Sequence, residues 1–289
     1  MIKFGPAGTA DSFKTMGYKN SSSIPEYLGT FGLNAFEYQC GRGVNIGEEK
    51  ALELGALFST AGITLSLHSP YYISLSSVEK EKRDKSIDYI MQSARAIKNL
   101  GGKRIVVHSG SCSKITREEA LSLACDTLKR AKATLMENGF SDIILCPETM
   151  GKINQLGDLY EVLKLCSVDE SFVPCIDFGH LNARTRGEIK TAADYERIFD
   201  EMENALGHDR VKEFHSHFSK IEYSEGGEVR HLTFEDKKFG PMPEDMLEIV
   251  YKRGYAPTFI CESAGTQTED AQFMMNYYRN LQNTLEKGE

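Results

Sequence analysis

DIILCPETM at 142–150 and FVPCIDFGH at 172–180, with a helix-like run at about 155–166 between them, carry the reading that decides the fold. Each of the two is a short apolar run that stops in polar or turn-forming residues. That is the signature of a strand buried on both faces of a parallel sheet. Working outward, the same unit recurs at IKFGPAG (2–8), GLNAFEYQC (32–40), ITLSLHSP (63–70), RIVVHSG (104–110), VKEFHSHFS (211–219) and PTFICESAG (257–265). Helical periodicity fills the intervals: Leu54, Leu57, Phe58 and Ala61 form one stripe, and Ile87, Ile90, Met91, Ala94, Ile97 and Leu100 form a longer one. Thr116 and Glu119 have capping-box spacing, and Gly62, Gly101, Gly139 and Gly254 stand where helix C-caps are wanted. Further helices are expected at about 191–207, 242–254 and 268–286. Eight strand–helix units in 289 residues are the arithmetic of an α/β (β/α)8 TIM barrel, one domain spanning 1–289. An open doubly wound sheet is the alternative, but no Gly-rich phosphate loop follows the first strand.

Composition narrows the class. With 40% hydrophobic residues the chain can build a complete core. A net charge of -8 and a pI near 5.5 argue against coating nucleic acid or anionic membrane by bulk charge, while leaving room for a metal-lined cleft. The seven cysteines are odd in number and contain no CxxC pair, so reduced, buried thiols are expected. No apolar run is long enough for a membrane span and the first residues do not read as a secretory signal. The expectation is a cytoplasmic monomer with no membrane partner.

Chemistry gathers at the predicted strand ends. His68, His108, His180, His215 and His217 fall there, joined by Glu148, Asp177 and Glu262. In a parallel barrel all strand tails open onto one face, where active sites are built. Several carboxylates buried together need protons or metal ions as counter-charge. Imidazoles mixed with carboxylates suit Zn, Mn or Fe better than Mg or Ca.

Taken in order, HSPYYISL (68–75), HSG (108–110), PETMG (147–151), CIDFGH (175–180), FHSHFSK (214–220), RH (230–231) and ICES (260–263) resemble the metal-binding motifs of the endonuclease IV family. These are zinc-dependent apurinic/apyrimidinic endonucleases on a xylose isomerase-like TIM barrel. The resemblance implies two or three Zn2+ ions, with Mn2+ as the substitute, and abasic-site DNA as substrate. Glu148 would bridge two ions, His68 and His108 would complete the first site, and Asp177, His215 and Glu262 the second. His180 and His231 would hold the third. Glu148 and Glu262 would be the catalytic carboxylates, with Glu262 ligating an ion or orienting the nucleophile. Gln39, Arg42, Tyr71 and Tyr72 would contact DNA, and Arg184, Arg186 and Lys220 are candidate phosphate contacts on the same face.

The sequence departs from the family pattern twice. The family's D-R-H string has Val229 at the Asp position, with Glu228 beside it, and its H-L-N-D string is replaced by H-S-H-F, which puts His217 where an amide is expected. Two metals, a third site rebuilt on Glu228, or a changed substrate would each account for this. The rival activity is a sugar isomerase or epimerase using a single ion on Glu148, Asp177, His215 and Glu262. A non-catalytic metal-binding protein is the remaining class.

Overall fold

All eight expected runs form strands, and they pair side by side in parallel. The computed structural model describes residues 1–112 and 115–285. The barrel strands are β1 (Lys3–Pro6), β2 (Ala35–Gln39), β3 (Thr64–His68), β4 (Arg104–Val107), β5 (Ile144–Pro147), β6 (Cys175–Asp177), β7 (His215–Phe218) and, after an antiparallel hairpin of β8 (Lys220–Ser224) and β9 (Gly227–Leu232), β10 (Thr258–Cys261). They form two four-stranded arcs, β2-β3-β4-β5 and β6-β7-β10-β1. Isolated parallel bridges, Ala7 to Glu37 and Glu148 to Cys175, join the arcs into a closed (β/α)8 barrel.

The helices are α1 (Asp11–Thr15), α2 (Ile24–Thr30), α3 (Glu48–Thr60), α4 (Lys80–Asn99), α5 (Arg117–Glu137), α6 (Leu159–Cys166), α7 (Phe178–Arg184), α8 (Ala192–Leu206), α9 (His208–Val211), α10 (Glu244–Lys252) and α11 (Gln267–Leu285). The long stripe of α4 is buried from Ile87 to Ile97, with Leu100 beneath it. On α3 the buried face is Ala51, Leu54, Gly55 and Phe58, so Leu57 and Ala61 lie outside it. The Thr116–Glu119 capping box opens α5, with both reciprocal hydrogen bonds made. Gly62, Gly101, Gly139 and Gly254 all have left-handed φ, between 66 and 78°, as C-cap geometry requires. All seven cysteines are free, and five of them are buried. Among the described residues, no helix is long and apolar enough to cross a membrane.

The hairpin β8–β9 was not legible in the sequence, and neither was the helix that follows β6. The run FVPCIDFGH ends as a strand at Asp177, whose Oδ1 accepts the backbone N–H of His180 at 2.7 Å and caps α7. His180 therefore sits on the first turn of a helix, not on a strand tail.

Closure of the barrel depends on a close approach at the β1–β2 seam. A Cβ on Gly5 would lie 1.8 Å from the carbonyl oxygen of Ala35, a rigid backbone atom. Gly5→Ala is expected to cost about 3 kcal/mol of stability through overpacking. Gly29→Ala, with nothing within 4 Å, is expected to be close to neutral. Denaturant unfolding of the two variants side by side checks this, and equal stabilities would show that the seam yields.

Candidate metal centre

Strand register decides which imidazole reaches the barrel mouth. In the β6–β7 pair Cys175 lies opposite His215, and Asp177 lies opposite His217. His215 and His217 are thus separated by two residues on one strand, about 7 Å along its axis. His217, the more C-terminal, shares the level of Asp177. The expected ligand His215 is the first residue of β7 and lies a layer deeper, with its Nε2 2.9 Å from Glu37 Oε2. The structure therefore puts His217, not His215, beside Asp177, Glu148 and Glu262.

Three groups of ligand-type atoms line the mouth, and a fourth, Cys175 with His215 and His217, lies a layer deeper. His68 Nε2 and His108 Nε2 lie 3.4 and 3.2 Å from Glu148 Oε2. The other oxygen, Glu148 Oε1, is 2.8 Å from His217 Nδ1, which is 3.6 Å from Glu262 Oε1, and Asp177 completes that second group. His180, Glu228 and His231 form the third, with His180 Nε2 3.5 Å from Glu228 Oε2. Glu148 belongs to the first two groups through different oxygens.

Local bonds aim the rings. His68 Nδ1–H donates to the carbonyl of Ser69 and His180 Nδ1–H to that of Thr149, each at 2.9 Å, so both present Nε2 to the centre. His231 Nδ1 is held by the Ser219 hydroxyl at 2.8 Å. Such outer bonds fix the tautomer of a ligating imidazole. Asp177 divides its carboxylate between two tasks: Oδ1 caps α7, and Oδ2 faces the centre.

The electrostatics call for cations. Glu37, Glu148 and Asp177 are fully buried, and among the described residues the ion-pair partners of all three are histidines, with no Lys or Arg. Among the described residues, Glu148 Oε2 and Asp177 Oδ2 are buried without a hydrogen-bond donor, so each has a lone pair that a cation would satisfy. Burial pushes the Glu148 carboxyl up, but His217, His108 and His68 outweigh it and hold it well below the usual range. Burial pushes the Asp177 carboxyl above its usual value. His180 is raised to about 9, because Asp177, Glu148 and Glu228 overcome the burial that opposes its charge. A set of nitrogen and carboxylate donors fits zinc or manganese.

The third group is made possible by an irregularity in the hairpin. Glu222 pairs with Arg230, but Tyr223 pairs with Glu228, so Val229 is an extra residue and the strand bulges. On a regular strand Glu228 and His231, three apart, would point to opposite faces. The bulge returns them to one face, opposite Tyr223 and Ile221, while Val229 is half exposed. Glu228 thus stands beside His180 and His231, where Val229 points away.

The residues expected to contact DNA divide. Gln39 turns inward, donating its amide to Glu37 Oε1 at 3.3 Å. Arg42 is exposed on the loop after β2. Tyr71 roofs the centre, its ring 5.3 Å from those of both His68 and His108, and a Cβ on Gly41 would fall 2.4 Å from the Tyr71 ring. Tyr72 is exposed and leans on Tyr89. Two candidate phosphate contacts are already committed to structure. The Arg184 guanidinium donates to the carbonyls of Met150, Lys152, Ile153 and Gln155, and Lys220 Nζ to those of Phe234 and Asp236. Arg186 is exposed, with φ 58°. Arg184 and Arg117 together clamp the loop after β5 by its carbonyls, and that loop brings Lys152 and Gln155 to the pocket wall. The pocket measures about 390 Å³. The sequence carried no strand-end signal for Glu37, Lys152 or Gln155.

A family model for the xylose isomerase-like TIM barrel matches residues 26–281. The chain is 34% identical over 285 residues to the uncharacterized protein MJ0133 of Methanocaldococcus jannaschii, covering 97% of this chain and 98% of that protein. It is 30% identical over 157 residues to a probable endonuclease 4 of Citrifermentans bemidjiense, a match to 53% of this chain and 54% of the relative. Among solved structures, a D-tagatose 3-epimerase-like protein superposes with a TM-score of 0.72 at 16% identity, over 98% of this chain and 100% of that one. Endonuclease IV from Thermus thermophilus superposes at 0.64 with 21% identity, over 93% and 96%. At these identities the structural likenesses speak for the fold alone.

Glu228→Gln is expected to lower the bound transition metal by one equivalent per chain after dialysis against a weak chelator, and Val229→Ala to leave it unchanged. Elemental analysis decides. Equal metal content in all three proteins would show that the bulge serves no ion.

Proposed function

We propose that this chain, which belongs to the xylose isomerase-like TIM barrel family, is a metal-dependent phosphodiesterase of the endonuclease IV kind that incises DNA 5′ of abasic sites. The observation that carries this reading is the position of Glu148, a buried carboxylate with one oxygen in each of two adjacent ligand groups and a third group beside them. One-ion chemistry would leave His68, His108, His180, Glu228 and His231 without a task.

When bound, zinc or manganese ions supply Lewis acidity to a phosphodiester and make water a nucleophile near neutral pH. His68 and His108 with Glu148 would hold one ion, Asp177, His217 and Glu262 with Glu148 the second, and His180, Glu228 and His231 the third. Glu262 lies at the rim, less buried than Glu148. From there it orients the attacking water and receives its proton. Lys152 offers the phosphate a positive charge at the pocket wall, and Tyr71 closes the space over His68 and His108. Arg42 reaches the duplex backbone from outside the pocket, a contact that positions without reading sequence.

A second reading has one observation of its own. Glu148, Asp177, His217 and Glu262 also form a complete four-residue set for a single ion, as a sugar isomerase or epimerase requires.

A labelled duplex carrying one abasic-site analogue, run beside an undamaged duplex and a panel of ketoses, separates the two. Selective nicking at the lesion is expected. It should disappear on chelation, fall on the order of a thousandfold in Glu148→Gln, and weaken steeply with salt. Arg42→Ala should raise KM about tenfold with metal content intact. Turnover of a ketose by fully metallated protein that leaves the lesion uncut would overturn the nuclease reading in favour of the epimerase.

A further inference from the structure

Behind the centre lies a carboxylate that holds no expected place in the ligand set. Glu37, on β2, is fully buried. Its Oε2 accepts the Ser66 hydroxyl at 2.9 Å and the His215 Nε2–H at 2.9 Å. Its Oε1 accepts the Gln39 amide at 3.3 Å and lies 2.9 Å from His217 Nε2. The backbone of Glu37 is fixed as well, since its carbonyl accepts the N–H of Gly8 at the β1–β2 seam. Three side chains and the seam therefore hold this carboxylate in place against one ring.

That ring is His217, and its two nitrogens face different worlds. Nδ1 faces Glu148 and Glu262, while Nε2 faces Glu37. A neutral imidazole carries one proton. For Nδ1 to offer its lone pair to an ion, the proton must sit on Nε2, and the carboxylate 2.9 Å away stabilises it there. The contact is close but off the N–H axis, so the attraction is that of a charge on the ring more than of an aligned hydrogen bond. A carboxylate placed behind a ligating imidazole raises its basicity and fixes its tautomer. His215, deeper in the barrel, is the donor that keeps Glu37 turned toward His217.

We propose that Glu37 is a positioning residue for the ion held by Glu148, Asp177, His217 and Glu262, acting through His217 and itself held by His215 and Ser66. The inference rests on the metal-centre reading but not on the identity of the substrate.

The test is titration of the metal-depleted full chain with Co2+, following the visible spectrum and the heat of binding, together with thermal unfolding of the metal-free proteins. Glu37→Gln keeps the shape and removes the charge. It is expected to weaken one class of Co2+ site by about 10- to 100-fold and to change its spectrum, with the other sites unaltered. Ser66→Ala, which removes one support of Glu37, is expected to weaken the same class a few-fold. Native Co2+ affinity and spectrum in Glu37→Gln, whether or not its thermal stability changes, would overturn the proposal. If Glu37→Gln does not fold, Ser66→Ala decides alone, and native affinity there overturns it. Failure of the unaltered protein to nick abasic DNA while these shifts are observed would overturn the nuclease reading and leave this one standing.

Discussion

One buried carboxylate organises the mouth of this barrel. Glu148 has no exposed surface, and ring nitrogens of His68, His108, His180 and His217 lie within 4 Å of its oxygens. Taking a carboxylate out of water costs several kcal/mol, and neighbouring imidazoles offset that cost only in part unless they are charged or share a cation with it. Asp177, equally buried, raises the same demand within the same few ångströms. The arrangement is consistent with a set of cations held between the carboxylates, and it makes little sense as a core packed for stability alone.

The barrel supplies what that demand requires. Parallel strands deliver their C-terminal residues to one face, so imidazoles and carboxylates from β3, β4, β5, β6, β7 and β10 meet without long loops. Elements outside the barrel complete the set. Helix α7 begins at Asp177 and carries His180 inward, so a residue that caps a helix also presents an oxygen to the centre. The hairpin β8–β9 brings Glu228 and His231 over the top, and its bulge sets their common face. Arg117 and Arg184 hold the loop after β5 by its carbonyls, which places Lys152 and Gln155 on the pocket wall.

Much of this was legible in the chain. Short apolar runs at regular spacing specified the eight strands, because a strand buried on both faces must be apolar throughout. The clustering of His and carboxylates at their ends marked the face where these side chains come together. What escaped was whatever depends on register or on distant partners. FHSHFS contains two candidate histidines, and only the β6–β7 pairing, with Asp177 level with His217, tells which one reaches the mouth. At EVRH a third site rebuilt on Glu228 was one of three alternatives left open, because spacing alone does not reveal the bulge that turns Glu228 to the face of His231. Arg184 and Lys220 looked available to phosphate, because the carbonyls that occupy them come from other segments. Glu37 sits mid-strand in AFEYQ and gave no sign of its role, which comes from His215, 178 positions away in the chain, and from His217 beyond it.

The central claim is that this face holds a multinuclear metal centre with Glu148 at its junction. Anomalous diffraction from crystals of the zinc-loaded protein, collected on both sides of the zinc absorption edge, tests it directly. Three peaks are expected, one among His68, His108 and Glu148, one among Glu148, Asp177, His217 and Glu262, and one among His180, Glu228 and His231. A single peak within the Glu148, Asp177, His217 and Glu262 group, at full occupancy and with the other positions empty, would contradict it.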